Sequence, residues 1–500
     1  MKQGVIAGID AGTSKVKTSL FSLDGTLLRE VSAEVTVSSP AMHQAEIDVN
    51  QVFAGVIRSL KDLLCGYEEK LLSIGLSVTS PTLVLLDRSL KAIRPAPVYL
   101  DNRSAQLVER YTSEFGSKQA YFARVGNNPS PSTCVAATIG WLRTHEPDNW
   151  RQVYKIGFLN TFLAGQLTGN LAADPTVSSY SGMMNVAKPD GWDKELLGIF
   201  EIDENLLPPV MWASCKVGGL KSDIAQVIGV QSGVPVALGG ADSAVTSFAL
   251  GVLQHGEVIQ SMGTSEVTTF CHATPHLSPA FMNRSHVWPG LWLSHGAMST
   301  TGGAISWLRS QVFPEIASEA ELEAEALRSP LGAGGVFFLP YLCGERSPMF
   351  DAKASGVFFG VNLTTRRCDL IRAVFEGAAY GVRQIYKIGA ETWKVQPEYI
   401  SCVGGASRSS LALQLRADAL NLELRSIEAD AAASYGAALL GACAAGVFGD
   451  VGKLPYLKTF RKVFRPTAAG AEHFAKSSFI YDSLYPALKD VMHSAHNCCL

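Results

Sequence analysis

The sequence predicts an α/β protein built from two related halves with a ligand cleft between them. Three observations carry this: one seven-residue motif occurs twice at half-chain spacing, short apolar runs alternate with helical stretches, and carboxylates follow glycine-flanked strand ends.

The opening elements follow from local pattern. Residues 4–9 (Gly-Val-Ile-Ala-Gly-Ile) are an apolar run ending at Asp10-Ala11-Gly12-Thr13. Residues 16–21 alternate in part and lead to the turn pair Asp24-Gly25, with a third strand expected over 27–31. A helix is expected over Val49–Leu64, a buried strand over Leu71–Val78, and a further strand over Leu83–Leu86 before the polar turn at Asp87. Antiparallel hairpins and helices therefore mix within the first hundred residues.

The repeat comes next. Gly12-Thr13-Ser14-Lys15-Val16-Lys17-Thr18 recurs as Gly263-Thr264-Ser265-Glu266-Val267-Thr268-Thr269, with five of seven positions identical at an offset of 251 residues. Both copies lie between a strand and an extended segment. Either turn alone reads equally well as an ordinary hairpin. As a pair at half-length they predict duplication, with two backbone N–H cradles suited to the phosphates of one nucleotide.

Between the copies, the buried strand at 234–238 delivers Asp242 through Gly239-Gly240-Ala241. Asp10 is presented in the same way. Strand ends are where ligands collect in α/β sheets, and two carboxylates beside Gly-Thr turns suit a metal–phosphate site with a catalytic base. Two turn-forming aspartates are the alternative reading. A third glycine turn, Gly404-Gly405-Ala406-Ser407-Arg408-Ser409, follows the strand-like 399–401 and precedes a helix, the layout of a ligand-approach loop. Neither a P-loop nor a dinucleotide fingerprint follows a strand.

Composition sets limits. The 500 residues are 47% hydrophobic and 17% charged, which excludes dominant disorder. The net charge of −3 excludes a polybasic nucleic-acid binder. The start of the chain lacks the layout of a secretory signal and the ten cysteines are dispersed, so reduced thiols and a cytoplasmic location are expected. Residues 431–448 carry no charge, but their Ala and Gly content predicts a closely packed helix in a soluble domain, not a membrane span. Residues 315–325, with five Glu and no base, read as a solvated helix face. The final His493, His496, Cys498 and Cys499 read as a mobile tail, with metal binding as the alternative.

The ordered motifs resemble the FGGY carbohydrate kinase family, within the actin and hexokinase superfold, nearly end to end. They are Gly8-Ile9-Asp10-Ala11-Gly12-Thr13-Ser14, Ala45-Glu46-Ile47-Asp48, Leu167-Thr168-Gly169, Gly239-Gly240-Ala241-Asp242, Gly263-Thr264-Ser265, Gly404-Gly405-Ala406-Ser407 and Ser434-Tyr435-Gly436-Ala437-Ala438. The resemblance implies two ribonuclease-H-like domains, residues 1–245 mainly for sugar and 246–500 mainly for ATP. It implies Asp242 as general base and sugar contact, Asp10 as the Mg2+ residue, and Thr13 with Ser14 and Gly263 with Thr264 as phosphate turns. Gly303, Gly405 and Ser409 would line the nucleotide.

The sugar wall departs from the family. The Gly-Gln-Met-His-Gly pattern of its xylulose kinases is replaced by residues 77–82, with Ser80 and Pro81 where Met and His face the sugar; Asp101 is retained beside Asn102 and Arg103. Ser80, Asp101 and Arg103 are therefore the expected substrate contacts, with a surface ion pair as the alternative for the last two. The expected activity is phosphorylation of a pentulose such as D-xylulose, by a chain that could form a homodimer. Arg103 equally suits a sugar acid such as gluconate. An actin-like ATP-binding switch without sugar chemistry is the competing class.

Overall fold

The computed structural model describes residues 4–498. Its first sheet begins with the predicted hairpins: β1 (Val5–Ala11), β2 (Lys15–Ser22) and β3 (Leu27–Glu34), the third running past its expected end. Buried side chains on both faces of β1 make it a central strand with an unbroken apolar run. The predicted helix is α1 (Val49–Leu64). Asp48 caps it by accepting from the N–H of Asn50 and Gln51, and Val49, Val52, Val56, Leu60, Leu63 and Leu64 form its buried stripe over β2 and β3.

Next come β4 (Leu71–Val78), β5 (Lys216–Gly219), β6 (Pro235–Ala237) and the short β7 (Gly240–Ala241), which leads into α2 (Asp242–Ala249). The sheet order is β5-β6-β4-β1-β2-β3, with β7 also paired to β4. β1 is antiparallel to β2 and parallel to β4, in a register that sets Asp10 opposite Ser77.

The second sheet is made from β8 (Val258–Met262), β9 (Glu266–His272), β10 (Met282–Ser285) and β11 (Trp292–Met298). After the long helix α3 (Arg367–Trp393) follow β12 (Tyr399–Val403), α4 (Ser410–Leu420), β13 (Glu423–Ile427), α5 (Ala432–Ala444), β14 (Phe460–Phe464) and α6 (Ala468–Cys498). Its order is β10-β11-β9-β8-β12-β13-β14. Read from β1 and from β8, six strands agree in order and in the sense of each pairing: two antiparallel strands on one side, two parallel strands and an antiparallel edge on the other, with β10 added at the edge of the second sheet. The duplication thus extends from seven residues to a whole sheet.

The apolar segment around 431–448 forms the helix α5, which packs across the chain's midpoint, onto β1 and β4 of the first sheet and against α2. Its approach is too close for a side chain: a Cβ on Gly8 would lie 1.7 Å from the Ser434 carbonyl oxygen, and one on Gly436 would lie 2.2 Å from that of Val245. A core of its own forms here, with Ile6 and Phe21 from the first sheet, Val245, Phe248 and Leu439 from the helices, and Ile259 and Val403 from the second. Among the described residues, no helix is long and apolar enough to cross a membrane.

Two expectations need correction. The tail is not loose: α6 continues to Cys498, and His493 Nε2 lies 2.7 Å from Asp351 Oδ2. Cys499 falls outside the described residues, and among those described no group of three or more His, Cys, Asp or Glu could hold a metal. The Glu-rich helix, Glu319–Ala326, is not simply solvated, because Glu323 reaches across to the start of α4.

Candidate active site

Each sheet contributes one three-residue hairpin loop. Gly12-Thr13-Ser14 joins β1 to β2, with the N–H of Gly12 donating to Lys15 O at 2.9 Å; Gly263-Thr264-Ser265 joins β8 to β9, with Gly263 donating to Ser265 O at 2.9 Å. The second loop is buttressed. The N–H groups of Thr301 and Gly303 donate to Thr264 O at 3.1 and 2.9 Å, and a Cβ on Gly302 would lie 2.3 Å from Gly263 O. Gly303 thus shapes the turn through its backbone. The position of Lys15 is taken in the second copy by Glu266, which forms a buried two-pronged ion pair with Arg416 of α4.

Two carboxylates stand at the ends of β1 and β7, the strands that flank the C-terminal end of β4. Asp10 Oδ1 accepts from Ser77 Oγ at 2.8 Å, a pairing that the parallel register makes possible. Asp242 opens α2 and accepts from the N–H of Ser243 at 2.6 Å. Gly239, at φ +64°, lets the chain pass the backbone of Leu76, where a Cβ would lie 1.8 Å from the carbonyl oxygen. Burial pushes both carboxyls above the ordinary range. Asp10 rises to about 7, with the charge of Asp242 adding to the burial, while the Arg284 guanidinium pulls Asp242 back down.

A cavity of about 310 Å³ brings Thr13, Ser14, Ser80 and Asp242 together with Gly12, Thr79 and Tyr99. It adjoins, through Ser80 and Tyr99, a cleft of about 980 Å³ lined from both halves, including Asn102 and Tyr180 of the first and Phe281, Ser299, Glu345 and Arg346 of the second. Ser80 Oγ, Tyr180 Oη and Glu345 Oε2 are buried there without hydrogen-bond partners among the described residues. On the second sheet a separate cavity of about 180 Å³ is bounded by Gly404, Ser407, Arg408, Arg461 and Lys462.

The structure does not bring Asp101 and Arg103 to the cleft. Both side chains are 2% exposed, so neither substrate contact nor a surface ion pair describes them. Arg103 donates from Nε and Nη2 to Asp101 at 2.8 and 2.7 Å and also binds Glu46, which Arg94 shares, while Asp101 accepts the N–H of Ala45 at 2.8 Å. The guanidinium is committed to an internal network that ties residues 45–48 to the start of the following helical region. Ser409 is likewise committed: its hydroxyl accepts from the N–H of Ala412 and donates to Glu323 Oε2 at 2.8 Å, while Gly405 remains in the turn before it.

Sequence reasoning missed Arg284, Tyr180, Glu345 and Arg346. Arg284 is 4% exposed and sits with its guanidinium carbon 4.2 Å from the centre of the Tyr180 ring. Nothing in its local sequence marks it, since an arginine in a short strand reads as an outward residue. The run Gly344-Glu345-Arg346-Ser347-Pro348 did carry a signal: a charged pair between turn residues, a few positions after the apolar run 336–339.

A duplicated sheet of this order is the architecture of the actin and hexokinase superfold, and its carboxylate floor beside a Gly-Thr turn suits phosphoryl transfer to a sugar; the class is that of the carbohydrate kinases. Residues 5–249 match the N-terminal domain and residues 258–445 the C-terminal domain of the FGGY family of carbohydrate kinases, and the chain belongs to that family. It is 30% identical to a xylulose kinase of Klebsiella pneumoniae over 97% of this chain and 99% of that one. It is 25% identical to a gluconokinase of Bacillus subtilis over 88% and 86%. The crystal structure of xylulose kinase from Rhodospirillum rubrum superposes with a TM-score of 0.91 at 27% identity, covering 98% of this chain and all of that one.

Proposed function

We propose that this kinase transfers the γ-phosphoryl group of ATP to a hydroxyl of a small neutral sugar or polyol, D-xylulose being the first choice. The observation that carries the reading is the placement of Asp242, with a raised pKa, on the wall of the cavity that also holds the Gly12-Thr13-Ser14 turn. In this reading the Asp242 carboxylate takes the proton of the acceptor hydroxyl as its oxygen attacks the γ-phosphorus. A base with a raised pKa is a better proton acceptor near neutral pH, and the Arg284 guanidinium opposes the rise by favouring the carboxylate.

Thr13 and Ser14 from one turn, and Gly263 and Thr264 from the other, bind phosphate oxygens through backbone N–H and hydroxyl groups. Gly303 holds the second turn in shape and Gly405 borders the nucleotide. Residues 1–245 hold mainly sugar and 246–500 mainly ATP, with α2 and α5 between them. The residues present fit a magnesium ion: Asp10 keeps one carboxylate oxygen free of protein partners among the described residues, and two half-buried carboxylates with raised pKa values favour a cation near them. Asp10 would hold the ion, which when bound neutralises charge on the phosphates.

The xylulose kinase likeness over nearly the whole chain supports the pentulose. The sugar-acid alternative, although a gluconokinase is also among the relatives, loses the residue on which it rested, because Arg103 is buried in its ion pairs. A coupled ADP-release screen over pentuloses, aldoses, polyols and sugar acids tests the proposal. Turnover of a pentulose is expected; turnover of a sugar acid alone refutes that choice.

A further inference from the structure

Glu345 and Arg346 are adjacent charged residues on the wall of the large cleft that the mechanism above leaves unused. Glu345 is 4% exposed. Its Oε1 accepts the N–H of Ser299 at 2.7 Å and of Arg346 at 2.8 Å, whereas Oε2 is buried with no partner among the described residues. A carboxylate pinned through one oxygen presents the other in a set direction, and a buried oxygen left unpaired is costly unless a ligand completes it. The Arg346 guanidinium donates from Nη2 to Met298 O at 3.2 Å and has no carboxylate partner among the described residues. This contrasts with the saturated Asp101 and Arg103.

The loop that carries the pair is rigid. Glu345 and Asp351 exchange backbone hydrogen bonds of 2.8 Å in both directions, and the Asp351 carboxylate accepts from Tyr485 Oη and pairs with His493 Nε2, each at 2.7 Å, on α6. The C-terminal helix therefore braces the acceptor wall from behind. Tyr180 Oη and Ser80 Oγ, on the opposite side of the cleft, add two further unpartnered polar atoms.

We infer that Glu345 and Arg346 recognise the acceptor by binding a vicinal diol of a neutral polyhydroxylated substrate. One hydroxyl donates to Glu345 Oε2, and its neighbour accepts from the Arg346 guanidinium. A substrate carboxylate within reach of Arg346 would also meet the unpaired oxygen of Glu345, a like-charge contact in a poorly solvated wall. The pair thus selects sugars and polyols over sugar acids. This rests on the kinase reading, which supplies the acceptor.

Calorimetric titration without nucleotide tests it on the full-length protein, using D-xylulose, xylitol and D-gluconate, with ADP titrated in parallel. Wild type is expected to bind a neutral polyol more tightly than gluconate. Glu345→Gln and Arg346→Gln are expected to weaken that binding at least tenfold, with ADP binding within twofold of wild type and Arg346→Lys falling in between. Unchanged polyol binding in both Gln variants, tighter binding of gluconate by wild type, or no binding of either neutral polyol by wild type overturns the assignment. Failure of the kinase reading shows separately, as a polyol that binds but yields no ADP when ATP is supplied.

Discussion

Gly436→Ala tests the crossing of α2 and α5 that joins the two sheets. The added Cβ would lie 2.2 Å from the Val245 carbonyl oxygen and 2.9 Å from Val245 Cγ1. Ordinary contact distances require the helices to part by roughly 1 Å, and an overpacked core of this kind costs about 1–3 kcal/mol. Alanine is worth about 1 kcal/mol more than glycine inside a helix, so the measured loss is expected near the lower half of that range. Asp242 lies one turn from the contact, at the start of α2. A displacement of that size at a catalytic group lowers rate by up to about 100-fold. Urea unfolding and steady-state kinetics read the two effects, with Gly449→Ala, whose added Cβ meets nothing within 4 Å, as control. A Gly436→Ala protein as stable and as active as the control would refute the reasoning.

Arg416→Met leaves the buried Glu266 without its partner and is expected to cost about 3–5 kcal/mol in urea unfolding, much of it recovered by adding Glu266→Gln. Ser409→Ala removes a helix cap, costing about 1 kcal/mol, yet is expected to leave the KM for ATP within about twofold, because the hydroxyl serves α4 and Glu323; a large rise in that KM would return Ser409 to the nucleotide. Asp10 gives a pH signature. Its folded pKa of about 7 lies above the unfolded value, so its contribution to stability is complete below about pH 4 and is lost as pH rises through 7. Without nucleotide or metal, urea midpoints of wild type should therefore fall relative to Asp10→Asn across that window, and parallel profiles would contradict the shift.

What was legible in the sequence was local. The α1 helix was readable because its apolar stripe lies within one segment, and β4 because it is a short, mostly apolar run. The Gly-Thr-Ser loops were readable because two copies imposed the same hairpin on different chains of residues. Long-range partners were not. Nothing within residues 99–103 shows that Glu46 would draw Arg103 inward, and nothing in the Ala-rich segment shows that α5 would cover the opposite half's sheet. Arg284 became part of the site only because β10 lies next to Tyr180 across the cleft.

The proposed function stands on a sugar hydroxyl as the phosphoryl acceptor and Asp242 as its base. The most direct measurement is ADP release from MgATP with and without D-xylulose, by wild type and by Asp242→Asn. Release is expected to depend on the sugar in wild type and to fall by about 10²–10⁴-fold in the variant. Release that proceeds equally without sugar, and at the same rate in both proteins, would contradict it.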